Sequence, residues 1–154
     1  LQEAQSLGPR YLEANALVAR ADARLRLGEA QAAIDDAEAG SALARRATLV
    51  SCEIQGLSRQ AVAQYLLGSP DRAAPLALRA LSLLSRQRYI EGSEEEVLQA
   101  CGRVLCATGD NERGQHALDA ARVAISRKLE ALADPAWRSA YAAIVEQRQL
   151  LRDN

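Results

Sequence analysis

Three glycines at near-equal intervals constrain the fold of this chain more than any other feature. Leu27-Gly28, Leu67-Gly68 and Thr108-Gly109 interrupt long helix-forming stretches, the first two glycines standing 40 positions apart and the last two 41. Glycine in such a seat ends a helix in a left-handed turn, so a helix should lie on either side of each, and the interval makes an internal repeat the first thing to seek. Seven residues before each glycine stands Ala21, Ala61 or Gly102; five after it, Ala33, Ala73 or Gly114; twelve after it, Gly40, Ala80 or Ala121. For this register, nine small residues in nine seats have a chance of about one in 10⁵. Small side chains in register let two helices cross closely, and the leucines eleven residues before each glycine, Leu17, Leu57 and Leu98, would fill the flank.

Composition points to the same class. Aromatic residues make up 3%, there is no Phe, and Ala, Leu, Arg, Glu and Gln dominate, which favours helices over sheets. The fold class expected is all-α, and 154 residues suffice for one domain or a short stack of repeats with a shared core. Helices are expected at about 10–27, 29–46, 48–67, 71–87, 93–108, 111–132 and 135–152, with Pro9, Pro70 and Pro135 in first turns and Asp71 and Glu94 to Glu96 placing acid at helix starts.

The small-residue register resembles the tetratricopeptide repeat, whose first helix carries a large residue four before a small one and whose second carries two small residues seven apart. The resemblance covers roughly residues 14–128. The family's aromatic seats hold Arg24, Ala37 and Gln64 here, the proline usual after the second helix is missing, and the period exceeds the family's ~34 by six or seven residues. The surplus falls between Gly40 and Leu57 and between Ala80 and Leu98, at the open end of each hairpin; as helix it would add ~9 Å of rise and lengthen the hairpins. The resemblance implies a right-handed α-solenoid of about three hairpins, 10–46, 48–87 and 93–132, followed by a capping helix over 133–154. Residues 1–9 resemble the end of a preceding repeat helix with a break at Gly8-Pro9, and with no Met in the sequence the chain is expected to be a fragment. The stretch from Ala133 through Leu151 looks like the closing helix of repeat arrays in large bacterial regulatory ATPases and kinase or cyclase fusions. Trp137, Tyr141, Ile144, Val145 and Arg148 recur on one face of it, with Trp137 as the expected anchor of the cap.

Chemistry-bearing motifs are sparse. His116 is the single histidine and is expected to be solvated or half-buried. Cys101 and Cys106 fall about 140° apart around one helix, unlike ligands of one metal, and with Cys52 are expected to be small core residues. Three cysteines without disulfide spacing fit a reducing, cytoplasmic setting. Asp35-Asp36 and Glu94 to Glu96 lack calcium-loop spacing and read as solvated faces and helix-start charges. No phosphate-cradling glycine loop, metal set or nucleophile–base pair stands out, so neither cofactor nor catalysis is expected. A formal net charge of −1, with arginines scattered and no interleaved aromatics, gives no pull toward nucleic acid or an anionic membrane.

What remains is binding. By the resemblance, the first helix of each hairpin lines a concave groove, which maps to Asn15, Val18, Asp22, Leu25 and Arg26, to Gln55, Ser58, Val62, Tyr65 and Leu66, and to Glu96, Gln99, Arg103 and Cys106. With no Lys and one Asn, this lining does not reproduce the clamp for C-terminal carboxylates known in one subclass. The resemblance implies a protein-interaction or regulatory scaffold module of a larger bacterial signalling protein, taking a peptide or a sister domain of its own parent chain; homodimerisation is a further option. The alternative is the effector-sensing helical domain of a large ATP-dependent transcriptional regulator.

Overall fold

The computed structural model describes residues 2–147, and side chains over 8–145. It holds seven helices and, among the described residues, no strand: α1 (Gln2–Arg26), α2 (Ala30–Arg46), α3 (Val50–Leu66), α4 (Pro70–Leu84), α5 (Glu94–Ala107), α6 (Asn111–Ala131) and α7 (Pro135–Gln147). Consecutive helices pack against each other from α1 to α6, α3 also meets both α1 and α5, and α7 touches α6 over a small area.

The glycine turns are built as the sequence suggests. Gly28, Gly68 and Gly109 adopt φ of 78°, 72° and 94°. After each, a backbone N–H reaches back five residues, Glu29 to the Arg24 carbonyl, Ser69 to Gln64 and Asp110 to Leu105, each at 2.9 Å. These bonds occupy carbonyls that the end of a helix would otherwise leave unpaired. The same motif closes α2, where Leu49 N donates to the Ala44 carbonyl at 2.8 Å, but here Thr48 occupies the left-handed seat at φ 58°. A β-branched residue is strained there, and no glycine marks the turn in the sequence.

All nine small residues of the register are buried. The crossing of α5 and α6 is the tightest: a Cβ on Gly114 would stand 2.8 Å from both the Cys106 nitrogen and the Gly102 oxygen, and one on Gly102 would stand 2.9 Å from the Gly114 oxygen. One continuous core joins Leu25, Ile34, Ile54, Leu57, Val62, Leu84, Val97, Val104 and Leu105 across α1 to α5, and a smaller cluster of Ala14, Val18, Ala44 and Cys52 lies among α1, α2 and α3.

Three local expectations are corrected. Helix α1 runs through Gly8-Pro9 without a break. A residue before proline is normally pushed out of the helical region by contact of its Cβ with the ring, and Gly8 has no Cβ. The surplus residues lengthen the helices at the first junction only. At the second, α4 stops at Leu84 and residues 85–93 form a loop. Ile90 buries itself at 3% exposure, the Glu91 N–H donates to Ser51 Oγ at 3.0 Å, and Gln55 Nε2 donates to the Glu91 carbonyl at 2.7 Å. The loop thereby meets on α3 the backbone hydrogen bonds it gives up by leaving the helix. Finally, Trp137 does not anchor α7: it is 67% exposed, and Ile144 is exposed too. Tyr141 makes the attachment instead, its hydroxyl donating to Glu95 Oε1 at 2.9 Å, while Arg148 lies outside the described residues.

Candidate interaction cleft

Helices α1, α3 and α5, the first partners of the three glycine-linked pairs, are joined by a buried arginine. Arg59 on α3 is 6% exposed; its Nε lies 2.8 Å from Asp22 Oδ1 on α1 and its Nη2 donates to Glu96 Oε2 on α5 at 3.1 Å. The Asp22 contact is ionic, its angle being outside hydrogen-bond geometry, so both its atoms lack a hydrogen-bond partner, as does Arg59 Nη1. Arg26 adds a second cation to Asp22 at 2.9 Å. A buried guanidinium is tolerated because two carboxylates compensate it, and removing either would leave a desolvated charge.

Around this arginine opens a cleft of about 450 Å³, lined by Asn15, Val18, Ala19, Asp22 and Arg26 of α1, Gln55 and Arg59 of α3, and Glu96 of α5. Six of the fourteen expected groove residues meet here: Asn15, Val18, Asp22, Arg26, Gln55 and Glu96. Two are already engaged through one donor, Asn15 Nδ2 with the Tyr11 carbonyl at 3.0 Å and Gln55 with the Glu91 carbonyl. The remainder fall elsewhere. Leu25 is buried on α1, and Ser58 and Val62 are buried on α3, which is covered by helices on most of its circumference; none of the three lines the cleft. Tyr65 packs half-buried on the core and Leu66 is 47% exposed at the helix end. Gln99 and Arg103 are half-buried outside the cleft. Cys106 turns toward α6, where its Sγ would meet a Cβ on Gly114 at 2.5 Å, so it belongs to the helix crossing and not to the groove.

Acidic residues read as solvated prove to be interhelical ties. Asp36, 4% exposed, accepts from Arg20 Nε at 2.7 Å and Arg20 Nη2 at 2.6 Å, with Arg24 at 2.8 Å; these bonds from Arg20 hold its carboxyl below the usual range. Glu53 on α3 pairs with Arg45 of α2 at 2.8 Å and Arg79 of α4 at 2.9 Å. Glu95, 2% exposed, accepts from Lys128 Nζ of α6 at 2.6 Å as well as from Tyr141. Burial works to raise the Glu95 carboxyl, but hydrogen bonds from Lys128, the backbone and Tyr141 together outweigh it and hold it low. Asp35 and Glu94, by contrast, are not buried, as expected. Arg59 itself was legible only as one of many scattered arginines; its position four residues after Gln55, on one face of α3, was the available signal.

The remaining expected residues behave simply. His116 is exposed, and Cys52 and Cys101 are buried, while Cys106 is half-buried. Burial pushes the Cys52 thiol up to about 11, with Glu91 adding to it, and the Cys101 thiol up to about 12 against smaller opposing effects of Ser58 and Arg59. Among the described residues, no group of three or more His, Cys, Asp or Glu could hold a metal ion, and no helix is long and apolar enough to cross a membrane.

No family model matches the chain, and neither a curated protein nor a solved structure matches it.

Proposed function

We propose that this chain is a protein-interaction or regulatory scaffold module of a larger bacterial signalling protein, acting by binding and not by catalysis. In this reading the helices form three hairpins of tetratricopeptide type in a right-handed superhelix, and the cleft between α1, α3 and α5 receives a peptide or a sister domain. The observation that carries it is the cleft itself, where polar side chains of three helices, Asn15, Asp22, Gln55 and Glu96, converge around the buried Arg59 guanidinium. Main-chain N–H groups of a bound segment would find acceptors in the Asp22 carboxylate and in the side-chain amide oxygens of Asn15 and Gln55 that line the cleft.

The test is a peptide-display selection on the wild type and on Ala19→Arg, which fills the cleft from an exposed position and leaves the core intact. Peptides enriched on the wild type and lost on Ala19→Arg support the reading; enrichment that ignores Ala19→Arg, or none at all, rejects it. The second reading, an effector-sensing helical domain of an ATP-dependent transcriptional regulator, draws support from the cleft volume of about 450 Å³, which falls within the small-ligand range of about 300–1,000 Å³. It predicts a small metabolite that raises the melting temperature of the wild type and not of Ala19→Arg.

A further inference from the structure

A second surface, built from helices the cleft does not use, has chemistry of its own. Because the 85–93 loop replaces the end of α4 and the start of α5, those two helices part at this junction, and a groove of about 1140 Å³ lies among α4, α5 and α6. Its walls are two helical stripes. On α4 and its C-cap, Leu78, Leu81, Ser82 and Ser85 follow the i, i+3, i+4, i+7 rule, and on α6 so do Arg113, His116, Ala117 and Ala120. Leu98 and Leu84 supply further apolar lining. Each stripe spans two turns. A two-turn segment of α-helix, about 11 Å long, has the length to lie along both stripes at once.

The charges along the groove are one-sided. Arg113 is held by Asp110 and Asp119 by Arg122, so each of those charges is balanced within α6 or its cap. Glu94 and Glu112 also line the groove and have no ion-pair partner among the described residues. The net field over an apolar floor is therefore negative. A like-charged or extended polar segment gains little there, whereas an apolar stripe flanked by Arg or Lys satisfies both the leucines and the two carboxylates.

We propose that this groove is a docking site for a basic amphipathic α-helix of a partner protein, seated between α4 and α6 with its apolar stripe on Leu78, Leu81 and Leu98 and its cations beside Glu94 and Glu112. The site is separate from the cleft around Arg59, so each can be disproved without the other.

The experiment titrates the chain with three synthetic labelled peptides: a helix of Leu and Ala at i, i+3, i+4, i+7 with Lys and Arg flanks, its twin with Glu flanks, and a scramble of the basic one. Anisotropy reads binding, and circular dichroism confirms that each protein variant keeps its helicity. Saturable binding of the basic helix, at least about tenfold tighter than of the other two, is expected, weakening as salt is raised. Ser82→Arg and Glu112→Lys, both at exposed positions, should each weaken it about tenfold, while Ala19→Arg leaves it unchanged. The proposal is overturned if the basic helix shows no saturable binding, if the scramble binds equally well, or if Ser82→Arg has no effect. Sedimentation supplies the remaining arm: self-association abolished by Ser82→Arg would make a second copy of this chain the occupant and overturn the assignment to a partner.

Discussion

Substituting Gly114 by alanine tests the α5–α6 crossing, because two opposed effects of known sign act on one methyl group. In an open helix, alanine is favoured over glycine by about 1 kcal/mol. At Gly114 the new Cβ would lie 2.5 Å from Cys106 Sγ, 2.8 Å from the Cys106 nitrogen and 2.8 Å from the Gly102 oxygen. The sulfur can rotate away, but the other two are backbone atoms of α5 and move only with their helix. Restoring a contact near 3.5 Å requires α5 to withdraw by ~0.7 Å, and a gap of that size forfeits between a quarter and a half of each dispersion contact along the crossing. Overpacking of this kind costs about 1–3 kcal/mol, or more where backbone must shift. Because backbone must shift, the upper part of that range, about 2–3 kcal/mol, applies; less the helix-propensity gain, the net loss is about 1–2 kcal/mol, and at 2–4 °C per kcal/mol for a chain of this size the midpoint should fall by about 2–8 °C.

The assay is thermal and urea unfolding followed by far-ultraviolet circular dichroism, with Ser126→Ala, on an exposed position of α6, as the companion that reports the helix-propensity gain alone. That variant should melt slightly above the wild type. Gly102→Ala should be destabilising as well, since its Cβ meets the Gly114 oxygen and Leu118 Cγ, each at 2.9 Å. The double variant should lose less than the sum, because a helix displaced once already accommodates part of the second methyl. A Gly114→Ala protein that melts at or above the wild type would refute the close crossing and, with it, the physical reason offered for the small-residue register.

Three further outcomes follow from other parts of the molecule. Thr48→Gly should raise stability by about 0.5–1 kcal/mol in the same unfolding assay, because it relieves a β-branched residue at positive φ, the relief exceeding the added entropy of the unfolded chain. Glu95 has its folded pKa held below the ordinary 4.5, so the stability it contributes is complete above about that pH and is lost as pH falls through the lower folded value. A melting-temperature profile against pH should therefore have a shallower acid limb for Glu95→Gln than for the wild type, and identical limbs would reject the buried Glu95–Lys128–Tyr141 tie. At pH 8 a thiol reagent should titrate Cys106 alone in the native protein and all three cysteines after unfolding, since burial keeps Cys52 and Cys101 protonated as well as covered.

Local rules and interhelical geometry were legible to different degrees in the sequence, and particular residues show why. Gly28, Gly68 and Gly109 could be read because the left-handed seat at a helix end selects glycine directly, and the small register could be read because close crossings admit little else. Thr48 escaped because the same seat is filled by a residue that pays strain to occupy it, leaving no compositional mark. The loop over 85–93 escaped for a longer-range reason: Ser85-Arg86-Gln87-Arg88 is compatible with helix, and what draws the chain away is Ile90 and Glu91 finding partners on α3, more than thirty residues earlier. Charge was the least legible property. Asp35 and Asp36 are adjacent and chemically identical, yet helical rotation of 100° per residue turns one to solvent and the other into the forks of Arg20 and Arg24. Glu94 and Glu95 divide in the same way, one lining an open groove and the other buried beneath Lys128 and Tyr141. The same geometry explains the cleft: the spacing that puts Asn15, Asp22 and Gln55 on accessible faces also turns Val62 inward, because α3 has neighbours on several sides where α1 has fewer. Assigning equal roles to α1, α3 and α5 therefore spreads the fourteen residues beyond any one cleft, and the six that the structure brings together are those around the central buried arginine.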